Sequence, residues 1–249
     1  MRNLVVQPMI RIVGALSILW AITAMWAYSH DGSVAEIANA VLSGEKFSSK
    51  QLIWIREQLD SGPADFKEAS AARGAAVLRM LLLETKLTPE NREISVSDYD
   101  RISSAVSDAL ARSPTDSFLW LSAFWLKRLN VQPTADDFKL LRMSYWSGPN
   151  EGWIALKRLP LAFGVFETLP TDLVDKTFSD FLGLVRSKFY WEAAGLLGGP
   201  GWAIRDQLVT RLLLVDLSDR RGFAKALAAR DIPGVSIPGV VEERPFRPF

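Results

Sequence analysis

The chain contains no cysteine and a single histidine, and these two scarcities remove whole classes of chemistry. Without cysteine there are no disulfide staples, thiolate metal sites or sulfur nucleophiles. With His30 alone, a metal site built on several histidines is impossible, and a Ser-His-Asp triad would have to recruit that residue. The formal net charge is +1, which gives no general attraction to nucleic acid. Strand patterning is missing too, since no convincing run alternates apolar and polar residues. The expected fold is all-α, with no cofactor and no metal ion. A chain that is 49% hydrophobic can build a sizeable core without covalent help.

One long apolar run is present. Between Arg11 and His30 the sequence IVGALSILWAITAMWAYS carries no charge. Eighteen residues lie at the short end of what a helix needs to cross roughly 30 Å of hydrocarbon. Arg2 and Arg11 precede it, whereas no Lys or Arg follows until Lys46, and Trp20, Trp26 and Tyr28 crowd its far end. That arrangement predicts a single-pass transmembrane anchor over 12–29, a cytoplasmic segment over 1–11 and export of the rest. A cleaved signal peptide is the rival, disfavoured by the length of the run and by its terminal aromatics. Either way the main domain is expected on the periplasmic side of a bacterial inner membrane. Ser33-Val34-Ala35-Glu36 has the form of a capping box opening a new helix.

From residue 30 to residue 231 the pattern predicts a single helical domain. Ser48-Ser49-Lys50-Gln51 is a second capping-box form, with a stop at Ser61-Gly62-Pro63. Ala64–Lys86 is rich in alanine on one helical face, Thr88–Glu93 reads as a polar loop, and Ser97 is the expected cap of a helix to Arg112. Pro160 should kink or divide its helix. The glycines of 195–201 should break the chain before a helix over 202–217, and Ser218-Asp219 should open the last one. Four prolines after Ile232 turn 232–249 into an extended tail, packed along the domain or offered to a partner.

Ser113-Pro-Thr-Asp-Ser-Phe-Leu-Trp-Leu121 matches Gly148-Pro-Asn-Glu-Gly-Trp-Ile-Ala-Leu156 at an offset of 35 residues. Each copy has a turn residue, a proline and an acid at the positive end of a helix, followed by an aromatic and aliphatics on one face. A period of about 34 is that of tetratricopeptide hairpins, which bury their apolar faces by stacking. The sequence therefore predicts a degenerate TPR-like stack in which Phe118 and Trp153 are equivalent, buried first-turn residues.

Catalytic patterns are sparse. Asp98-Tyr99-Asp100 has a D-x-D form but opens a helix, where acids favour the dipole, and Asp136-Asp137 reads the same way. Glu84, Glu167 and Glu192 have no evident second group to raise a carboxyl pKa. Ten of the 26 aromatic residues fall within 118–166. The candidate partner or glycan groove comprises Trp120, Trp125, Tyr145 and Trp153, flanked by the basic pairs Lys127-Arg128 and Lys157-Arg158, which carry donors for carboxylates.

The segments ALARSPTDSFLWLSAFWL (109–126) and SYWSGPNEGWIALKRLPLAF (144–163), behind an N-terminal apolar run and an alanine-rich stretch, resemble the membrane-anchored, TPR-like polysaccharide biosynthesis proteins grouped as VpsP. The resemblance covers about 60 residues and carries no catalytic residues with it. It implies a non-enzymatic adaptor for exopolysaccharide biosynthesis or export. Its partners would be membrane-embedded polymerase or exporter components, inner-membrane lipid and glycan, with no nucleic acid. The alternatives are a glycan-processing enzyme on a helical superstructure, or a structural subunit of another membrane complex.

Overall fold

The computed structural model describes residues 3–61, 68–87, 94–130 and 133–241, and within its first helix the side chains of 12–23, 25 and 33 onward. Every regular element among these residues is helical. The chain packs as two compact units, Met1–Thr115 and Asp116–Phe249.

The first unit holds α1 (Asn3–Leu42), α2 (Ser49–Ser61), α3 (Ala69–Glu84) and α4 (Val96–Arg112). Helix α3 is its centre, packing against the other three. Its composition explains this, because Ala71, Ala72, Ala75 and Ala76 are small enough for neighbours to approach from several sides. The closest approach is at Gly74, where a Cβ would sit 2.9 Å from the backbone oxygen of Val34 on α1. Val34 and Ala38 are accordingly buried. In a free helix, Gly→Ala gains about 1 kcal/mol. At this crossing the methyl meets backbone that cannot rotate away, and overpacking of that kind costs about 1–3 kcal/mol. Gly74→Ala is therefore expected to destabilise the protein, read as a lower urea midpoint; an unchanged or higher midpoint would show that the helices separate freely.

The predicted anchor is corrected here. Among the described residues no helix is long and apolar enough to cross a membrane. Nor does a new helix open at Ser33, since α1 continues unbroken to Leu42. Ile12, Leu16, Leu19, Trp20 and Met25 are exposed, while Ser17 and Thr23 return their hydroxyls to carbonyls of the preceding turn. The side chains of Trp26, Tyr28 and His30, and the turns assigned to Gly62-Pro63 and 88–93, lie outside the described residues.

Helix starts follow local chemistry. The capping box at Ser48 forms: its backbone N–H donates to Gln51 Oε1 at 2.8 Å, and the Gln51 N–H reaches Ser48 Oγ at 3.4 Å. For α4 the cap is Ser95 rather than Ser97, its hydroxyl accepting from the Asp98 N–H at 3.1 Å.

The second unit comprises α5 (Ser117–Asn130), α6 (Phe138–Ser147), α7 (Gly152–Phe163), α8 (Thr171–Arg186), α9 (Tyr190–Gly198), α10 (Arg205–Arg211) and α11 (Leu217–Ala229), with 3-10 turns at Phe166–Thr168, Trp202–Ile204 and Leu212–Leu214. Helices α5 and α6 pair, α7 and α8 pair, and α5 also touches α7. The two sequence copies therefore start neighbouring helices. Leu121, Phe124, Phe138, Leu141 and Leu173 build one apolar core across α5, α6 and α8. Leu159, Phe181, Val185, Leu197, Leu208 and Phe223 build a second across α7 to α11. Helix α7 ends three residues after Pro160, with the Gly164 N–H donating to the Pro160 carbonyl. The segment expected as one helix over 202–217 is instead a 3-10 turn, α10 and another 3-10 turn, and α11 begins at Leu217 behind Asp216.

Helices α8 and α11 end alike. Lys188 and Asp231 have φ of 66° and 56°, each donating to the carbonyl three residues back. The residues after them, Phe189 and Ile232, donate to Leu184 and Leu227. These are Schellman closures with a side chain where glycine is usual. Beyond the second, the non-helical segment folds back onto the unit. Ile237 is buried in the core, Arg220 donates to the Pro238 carbonyl, and Ile232 covers Gly198. Residues 242–249 of the predicted tail lie outside the described residues.

Candidate functional site

The proposed groove residues separate into buried and exposed sets. Arg158 is wholly buried in α7. Its Nε meets Asp180 Oδ2 of α8 at 2.9 Å, Nη1 donates to the Ser144 carbonyl at 2.7 Å, and Nη2 donates to the Gly148 carbonyl at 2.9 Å. The guanidinium also lies over the Tyr145 ring, 4.2 Å from its centroid. Tyr145 is itself buried, its hydroxyl 3.2 Å from Thr177 Oγ1, and burial pushes its phenol up. Burial likewise pushes the Asp180 carboxyl up to about 6, with Arg158 pulling the other way. Tyr145 and Arg158 are thus core residues holding α6, α7 and α8 together.

Arg128 is also largely structural. It is half-buried, donates to the Leu161 carbonyl at 2.9 Å in the last turn of α7, and packs on Gly164. Lys127 and Lys157 are solvent-facing, and Trp120 and Trp125 are half-buried. Phe118 is buried, whereas Trp153 is 40% exposed and lies over the Phe118 ring with centroids 6.0 Å apart. The two aromatics of the repeat therefore stack on each other instead of occupying equivalent buried sites. The acids of the two copies engage differently as well. Asp116 caps α5 through the Phe118 and Leu119 N–H groups, while Glu151 lies 3.3 Å from Ser117 Oγ.

Trp153 belongs to a different surface from the one expected. The loops after α6 and α8 lie at the same end of this unit, because the Phe189 ring comes within 3.5 Å of where a Gly152 Cβ would stand. That end carries Trp146 (68% exposed), Trp153, Phe189 and Trp191 (51% exposed). The Schellman closure at Lys188 places Phe189 there, and Arg230 stacks its guanidinium on Trp191 at 4.1 Å. Sequence reasoning missed three of the four. The signals were Trp146 directly before a Ser-Gly-Pro stop, and Phe189-Tyr190-Trp191 in succession, which no helix can bury on one face.

Among the described residues no cluster of three His, Asp or Glu side chains could hold a metal ion. No protein-family model, curated protein or solved structure matches this chain.

Proposed function

We propose that the protein is a non-enzymatic helical adaptor, whose aromatic end of the second unit docks a protein component of a larger assembly. The observation that carries this reading is the gathering of Trp146, Trp153, Phe189 and Trp191 at one end of α6 to α9, exposed although each is a large aromatic side chain. Exposed aromatics grouped at one end of a domain mark interaction surfaces, and an anchoring tryptophan is typically worth about 2 kcal/mol or more to a partner. The rigid base beneath them, pinned by Arg158 and by Phe118, keeps the ordering cost of docking low. The setting is exopolysaccharide biosynthesis or export, with a polymerase or exporter subunit as the partner, and it rests on the sequence resemblance.

The test is a chromosomal Trp146→Ala, Trp153→Ala, Trp191→Ala replacement. Polysaccharide output is expected to fall severalfold while the variant accumulates at wild-type level and keeps its helical circular dichroism. Output equal to wild type would refute the adaptor surface. A purified wild-type chain that turns over a glycan unaided, and loses that activity on one Asp or Glu substitution, would establish the enzyme reading instead.

A further inference from the structure

A second feature lies in the first unit, remote in sequence from the aromatic surface. Helices α2, α3 and α4 enclose a pocket of about 120 Å³. Its floor is apolar, made by Leu59, Leu82, Leu83 and Ile102, all buried. Its walls carry four cations, Arg56, Arg79, Lys86 and Arg101, against two anions, Asp60 and Asp98. Both anions are already engaged. Lys86 Nζ holds Asp98 Oδ2 at 2.8 Å, and Arg101 Nη1 reaches Asp60 Oδ1 at 3.4 Å.

This arrangement leaves Arg56 and Arg79 over, and of the two Arg56 is exposed whereas Arg79 is set into the cleft. It projects from the most buried helix of the unit, is itself only part-exposed, and forms no hydrogen bond or ion pair with any described residue. Its proton affinity is lowered, first by burial and then by the neighbouring Arg101, with Asp60 and Asp108 acting weakly in the opposite sense. A half-buried guanidinium beside another, without a carboxylate of its own, costs folding free energy that a purely structural role would have no reason to retain. An incoming anion would relieve that cost, and the guanidinium fork suits a planar carboxylate or a phosphate.

We propose that this cleft binds a small oxyanion, a phosphate or carboxylate group on a compact carbon skeleton, with Arg79 as its anchor and Arg101 beside it. The charged group meets the guanidinium wall, and the carbon skeleton covers the Leu82, Leu83 and Ile102 floor.

Thermal unfolding and titration calorimetry of the intact chain in a non-ionic detergent test this. Inorganic phosphate and glucuronate serve as probes, with chloride at matched ionic strength as the control. Saturable stabilisation by phosphate, by glucuronate or by both is expected, and which of them acts identifies the head group. Arg79→Gln should weaken that binding about tenfold to a hundredfold. Without ligand the same variant should melt at or above the wild-type temperature, because it removes an uncompensated charge. A structural Arg79 predicts the reverse, a lower unliganded melting temperature. Arg79→Lys, which keeps the charge and loses the fork, should bind more weakly than wild type and more tightly than Arg79→Gln. No response beyond chloride, or an undiminished response in Arg79→Gln, would overturn the assignment.

Discussion

Arg158→Met is expected to destabilise the second unit by about 3–5 kcal/mol, the range for breaking one side of a buried ion pair. Two effects add. The Asp180 carboxylate loses the guanidinium that contacts it, and the Gly148 carbonyl loses its donor. The Ser144 carbonyl loses less, because it also accepts from the Gly148 N–H at 3.2 Å. The deficit should depend on pH in a defined direction. The Asp180 carboxyl in the folded protein stands at about 6, above its value in the unfolded chain, so its contribution to stability is greatest at low pH and declines as pH rises through that value. Removing Arg158 raises the carboxyl further, so the decline continues to higher pH in the variant. The gap between wild type and variant in urea unfolding should therefore widen from pH 6 to pH 8. Arg158→Met combined with Asp180→Leu should abolish that widening and recover part of the loss, leaving the cost of the undonated Gly148 carbonyl. A pH-independent gap would mean that Asp180 is not the partner that matters.

Phe181→Ala should cost a similar amount, about 3–5 kcal/mol, through a different mechanism. Phe181 is completely buried at the meeting of α8 with its neighbours and contacts Phe223 of α11 edge-on, with ring centroids 5.9 Å apart. Truncation removes the transfer free energy of the ring and leaves a cavity lined by rigid helices. In a double-mutant cycle with Phe223→Ala the coupling should be about 0.5–1.5 kcal/mol. Additivity within error would show that the edge-to-face contact contributes nothing beyond burial. The comparison with Arg158 is informative, since the aromatic deficit should not vary with pH.

Much of the helical architecture was legible because it is written locally. The Ser48 capping box and the break at Gly199–Gly201 each rest on interactions within a few residues. What failed to read through depends on the partner across the interface. Arg158 reads in the sequence as a donor flanking the groove, although Ile154, Arg158 and Ala162 recur every four residues on the buried face of α7. The periodicity was there; that an arginine could occupy it became evident only with Asp180 and two carbonyls in place. Gly74 was likewise silent, because its meaning is the backbone of Val34, 40 positions earlier in the chain. The apolar run near the N-terminus was read from its length, flanking charges and aromatics, and these do not say how far a helix continues or where it packs. The two guanidinium groups proposed to hold an anion in the cleft, those of Arg79 and Arg101, belong to different helices and share no motif.

Arg158 has one more consequence, for the way such a chain can change over time. In a strictly modular array each hairpin satisfies its own polar groups, so copies can be duplicated or lost with little penalty. Here a side chain of the second hairpin terminates the last helix of the first and is neutralised by the helix that follows its own. Excising α7 and α8 would strand the Gly148 carbonyl, and inserting a hairpin between α6 and α7 would leave a cation in the interior. The aromatic end of this unit is therefore locked to a fixed number of helices. Variation in length is confined to segments outside α6 to α8, and diversification of what the surface recognises must proceed by substitution of its exposed rings.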